Sequence, residues 1–153
     1  MKKINLIIVL VLFSTLFMNS CKEESVTEPQ HEHYETYGIN IYHSDSLYLK
    51  VFNAVIDTNY HQSFALTMNS QPEEFKLMFL DENGKELAYP TDSNKVLGWL
   101  IADTTIVNAT ISSDSRWNFV LEAKKPGNTS IEIRLNHIDH PDFKTPLIPI
   151  MIK

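Results

Sequence analysis

Four of the six histidines in this 153-residue chain fall in close pairs, His31 with His33 and His137 with His140, and the second pair is interleaved with Asp139 and Asp142. Zinc and copper(II) favour imidazole, with carboxylate as a further ligand, and a site needs three or four such groups to converge. These six residues are the candidate metal ligands. Their spacing matches no standard zinc motif, so a plainer reading stands beside it. In that reading His31 and His33 are solvated, and His137 to Phe143 is a rim loop whose Asp139 and Asp142 bond backbone amides. His43 and His61 stand alone and are expected on the surface or on an edge strand.

Other chemistry finds little material. There is one cysteine, no G-x-S-x-G elbow, no phosphate-cradling glycine loop, and no carboxylate pair whose spacing would assign acid and base roles. The expectation is a protein that is not an enzyme. Trp99 and Trp117 could stack on sugars if exposed, but their places within apolar runs put them in a core.

The single cysteine has a different explanation. Lys2 and Lys3 form a positive start, residues 4–18 are almost wholly apolar, and small or polar residues lead into Cys21. That is the order of an export signal. The apolar run is shorter than the roughly 20 residues that a permanent membrane helix requires, which disfavours an uncleaved anchor. The run Leu16-Phe17-Met18-Asn19-Ser20-Cys21 resembles the lipobox of bacterial lipoprotein precursors. The resemblance implies that residues 1–20 are a signal peptide, that Cys21 carries a diacylglycerol thioether, with palmitate-type chains, and that the product sits on the periplasmic or cell-surface side of a membrane, the outer membrane being favoured. At about 0.8 kcal/mol per buried methylene, two or three chains would hold it there.

Removing Lys2 and Lys3 from the 13 basic residues leaves 11 against 19 acidic ones, a net charge of -8. An acidic chain without a basic stripe is a poor partner for nucleic acid, where phosphate contacts supply most of the affinity. The same charge is repelled by anionic headgroups, so attachment would rest on lipid.

Residues 21–36 are polar and acidic and read as a flexible tether. From Tyr37 to Lys153, short apolar runs rich in β-branched and aromatic residues recur about every ten residues, divided by Asn, Asp, Gly, Ser and Pro clusters. Nine strands are expected: 38–42, 47–53, 63–68, 75–80, 96–102, 105–111, 117–122, 130–135 and 147–152. Ile131, Ile133 and Leu135 alternate with Glu132, Arg134 and Asn136, and Trp117, Phe119 and Leu121 repeat the pattern. Asn83-Gly84 should supply the positive φ angles of a tight hairpin, and Lys125-Pro126-Gly127-Asn128 a second turn. Pro146 and Pro149 place the last strand at an edge.

Residues 103–109, 117–123 and 126–133 look like the closing strands of bacterial Ig-like domains of the invasin and intimin group. The resemblance implies an all-β, Ig-like Greek-key sandwich over 37–153, and adhesion or scaffolding in preference to catalysis. The closing run from His137 to Phe143 resembles small uncharacterised bacterial lipoproteins with an H-x-D-H-x-D-F segment. The function expected is a lipid-anchored, non-catalytic binding or accessory module of the cell envelope, its partner an envelope protein or a glycan. The alternative is a metal-binding lipoprotein that captures or delivers zinc or copper.

Overall fold

The computed structural model describes residues 34–153, so the readings of residues 1–33, including Cys21, His31 and His33, lie outside the described residues. The described residues form eleven strands and no helix. They are β1 (Gly38–His43), β2 (Ser46–Phe52), β3 (Val55–Ile56), β4 (Phe64–Leu66), β5 (Glu73–Leu80), β6 (Lys95–Ile101), β7 (Val107–Ile111), β8 (Asn118–Ala123), β9 (Gly127–His137), β10 (His140–Lys144) and β11 (Ile148–Ile152). One antiparallel sheet runs β3-β2-β1-β5-β8-β7. The second runs β6-β9-β11-β4, with β10 also beside β9.

Period-two burial explains why two sheets close on each other. Phe75, Leu77 and Phe79 of β5 and Phe119 and Leu121 of β8 point inward from the first sheet, and Phe64 of β4, Ile131, Ile133 and Leu135 of β9 and Ile148, Ile150 and Ile152 of β11 meet them from the second. Phe64 is the seam. Its ring lies edge-on to Phe75 at 4.9 Å and to Phe119 at 6.0 Å, the geometry that the aromatic quadrupole favours.

The strand order is that of an Ig-type Greek-key sandwich. Taking β4 to β11 in chain order, β5, β8 and β7 share one sheet and β6, β9 and β11 the other, while the first strand β4 lies parallel beside the last, β11. β1 to β3 are an added meander. β1 takes the place beside β5 that the first strand holds in constant-type domains.

All nine expected strands are present, with ends shifted by a few residues. Residues 34–36, read from the sequence as the end of the tether, are held by the domain. The Tyr34 ring sits edge-on to Phe79 at 5.4 Å, and Thr36 Oγ1 donates to the Leu80 carbonyl at 3.0 Å.

Two local readings are corrected. The last strand is not an edge, because β4 covers it from Ile150 onward. Lys153 N donates to Leu66 O, so odd-numbered residues of β11 aim their amides at β4, and Pro149 falls one residue before that pairing begins. At 81–85 only Gly84 has positive φ, at 76°, because the Asp81 carboxylate accepts from the Asn83 and Lys85 amides and organises the turn by itself. The two tightest hairpins use no glycine: Ser44-Asp45 between β1 and β2 and Asn53-Ala54 between β2 and β3 both take positive φ at both turn positions.

Ala54, at φ 60°, is exposed and pays the steric penalty that left-handed backbone imposes on a Cβ. Ala54→Gly should therefore raise the unfolding free energy by about 0.5–1 kcal/mol, the relief of strain outweighing the added freedom of the unfolded chain. An unchanged or lower urea midpoint would show that the turn is not strained.

Candidate metal centre

The predicted rim loop is a hairpin. β9 does not stop at Leu135 but continues to His137, whose side chain keeps the inward parity of Ile131, Ile133 and Leu135 and is buried. Ile138 and Asp139 make the turn, Ile138 at φ 56°, and β10 returns with His140 directly opposite His137. Pro141 does not prevent this strand, because the pairing shifts between Pro141 and Phe143. Asp142 is the extra residue of that bulge. The Asp142 carboxylate lies in the interior, its side chain 1% exposed.

On the other side of β9, Lys95 begins β6 and pairs with His137. Lys95, His137 and His140 thus form one row across three neighbouring strands, with Asp142 dropped beside them. Lys95 Nζ donates to Asp142 Oδ2 at 2.7 Å, and its side chain is 5% exposed. The same ammonium lies 3.4 Å from His137 Nδ1. His137 Nδ1 also lies 3.7 Å from Asp142 Oδ2, and its Nε2 lies 3.4 Å from Asp92 Oδ2. Asp92 is held by the loop before β6, where its backbone carbonyl accepts from Lys95 N and its Oδ1 from Asn94 N.

His140 is differently placed. Its Nδ1 lies 3.0 Å from Asp139 Oδ1 and its Nε2 3.5 Å from Asp142 Oδ1. The carboxylate at Nδ1 aims Nε2 inward, the way an outer carboxylate orients a metal-ligating imidazole. Asp139, 87% exposed, stands in solvent beside His140.

The structure thus brings His137, His140 and Asp142 together, each offering a ligand atom within 4.8 Å of the others, and leaves Asp139 outside that set. His31 and His33 lie outside the described residues. His43 ends β1 against Phe75, 3.8 Å from Glu73, and His61 stacks on Tyr48 at 4.2 Å, so neither joins the cluster. The sequence reading missed Lys95 and Asp92. Lys95 was legible as the inward-parity residue preceding Leu97, Trp99 and Ile101, had the strand been started one position earlier.

A second polar node lies on the first sheet. Glu86 accepts from Tyr42 Oη at 2.5 Å and Asn40 Nδ2 at 2.8 Å. Burial opposes ionisation of Glu86, but these two hydrogen bonds outweigh it and hold the carboxyl below its ordinary range. The node fastens the 85–90 loop to β1.

Fold and site together define an all-β, two-sheet domain of Ig-type strand order with a buried Lys–His–Asp cluster at one hairpin. No family model matches the chain, and no curated protein does. Among solved structures it is similar to the S-layer protein SbsC domains 4 and 5, with a TM-score of 0.40 and 14% identity over 60% of this chain. The match takes in 47% of that structure, so the chain spans about half its length.

Proposed function

We propose that this protein is a lipid-anchored, non-catalytic binding or accessory module on the periplasmic or outer face of a bacterial envelope. The observation that carries the reading is a sandwich of Ig-type strand order whose first strand starts at Gly38, close behind Cys21 in the sequence, the residues between them being mostly polar and acidic. The invasin-like stretch supports the adhesive side of this reading, since its residues supply β7, β8 and the start of β9. Exposed apolar side chains support it too. Val96 and Leu100 on β6 and Ile111 on β7 stand on the terminal strands of the two sheets, where a protein or glycan surface could be met.

Metabolic labelling with a palmitate analogue tests the anchor. The wild type should be tagged and sediment with membranes, and Cys21→Ser should lose the tag entirely and accumulate at precursor size. A tag of equal strength on the Cys21→Ser protein overturns the lipoprotein reading.

A further inference from the structure

We propose that His137, His140 and Asp142 form a binding site for one borderline divalent ion, zinc or copper(II), and that Lys95 is the resident cation the ion displaces. The inference does not depend on the lipid anchor. Two imidazoles and a carboxylate are a donor set these ions accept, and three protein ligands leave a position for water or for a recipient.

The backbone has gone to some length to assemble the set. It takes a β-branched residue at positive φ in the turn, a proline inside a strand, and a bulge at Asp142. Each runs against ordinary strand preference, yet the hairpin keeps His140 opposite His137 and holds the Asp142 carboxylate, two residues on, in the interior. His140 already has the outer carboxylate, Asp139, that ligating imidazoles commonly carry.

Lys95 decides the character of the site. Its ammonium holds Asp142 Oδ2 and faces His137 Nδ1, two groups that the ion also needs. A divalent ion and an ammonium sharing one buried carboxylate repel strongly in an interior that screens little. Binding therefore requires the lysine to swing out, and its length and position at the start of β6 allow the ammonium to reach water beside the half-exposed Asp92. The site thus contains its own competitor. Such an ion is held less tightly than in a closed structural centre, as suits one that is taken up and passed on.

Titration of the whole protein with zinc and, separately, copper(II) tests both halves. Wild type should bind about one ion per chain, and His31→Ala/His33→Ala should bind it equally well. His140→Ala, at an edge-strand residue whose loss leaves the core intact, should weaken binding on the order of 100-fold and reduce the nitrogen couplings of the copper(II) paramagnetic spectrum from two to one. Lys95→Met should bind at least about tenfold tighter than wild type, and saturating zinc should restore its thermal midpoint toward the wild-type value. Equal affinity in wild type and His140→Ala overturns the site. Unchanged or weaker affinity in Lys95→Met, with His140→Ala still impaired, keeps the site and overturns the displacement.

Discussion

Lys95→Met, measured with a chelator present, should lower the unfolding free energy by about 3–5 kcal/mol, among the largest losses any single change outside the apolar core produces. The Asp142 carboxylate is 1% exposed and Lys95 Nζ, at 2.7 Å, is the cation against it. Removing the ammonium leaves a charge in a place where water cannot follow. Methionine keeps the length of the stem, so the loss reports charge and not a cavity. The double variant Lys95→Met/Asp142→Leu then separates two accounts of the pair. If the ion pair only repays its own desolvation, replacing both charges with apolar groups should recover most of the loss or exceed wild type, whereas a double variant as unstable as the single one would mean the cluster contributes through His137 and His140 as well. Urea unfolding followed by circular dichroism, with m-values compared across the three proteins, gives the answer.

The difference between what the sequence disclosed and what it concealed follows the range of the signal. Strands such as β5, β8 and β9 were legible because Phe75-Leu77-Phe79, Phe119-Leu121 and Ile131-Ile133-Leu135 write their inward face in period two, and a strand with one buried face cannot slip register without exposing it. Two strands escaped. β3 is only Val55–Ile56, too short for any period, and β10 carries Pro141, which reads as a breaker unless the bulge beside it is known. The hairpins at Ser44-Asp45 and Asn53-Ala54 gave no glycine to announce them. Of the six candidate ligands, three converge because β9 outlasts its hydrophobic run by two residues and so carries His137 into the interior. Lys95 shares the inward parity of Leu97 and was passed over for a complementary reason. A lysine is expected in water, and only cross-strand pairing, which is a long-range property, shows that it stands opposite His137.

Trp117→Ala should cost about 3–5 kcal/mol, an effect of the same size from the opposite cause. The indole is 4% exposed, immediately before β8, and touches three kinds of neighbour. Phe79 meets it edge-on at 5.5 Å, Tyr89 stacks on it at 5.6 Å with planes 12° apart, and the Arg116 guanidinium lies 4.8 Å from its ring. Tyr89 also donates its hydroxyl to the Leu77 carbonyl at 2.8 Å, and Arg116 donates to the Pro90 carbonyl at 2.8 Å. Trp117 is therefore the surface on which residues 85–90 are laid against the first sheet, and the same loop leads directly to Asp92 beside His137. Truncation opens a void too large for Phe79 and Tyr89 to close without moving that loop, so the loss should exceed the transfer free energy of the indole alone. Trp117→Phe, which keeps a ring between the same neighbours, should lose much less. A loss below about 1 kcal/mol for Trp117→Ala would mean that the loop is held without the indole, and would return Trp117 to the surface aromatics available for a ligand.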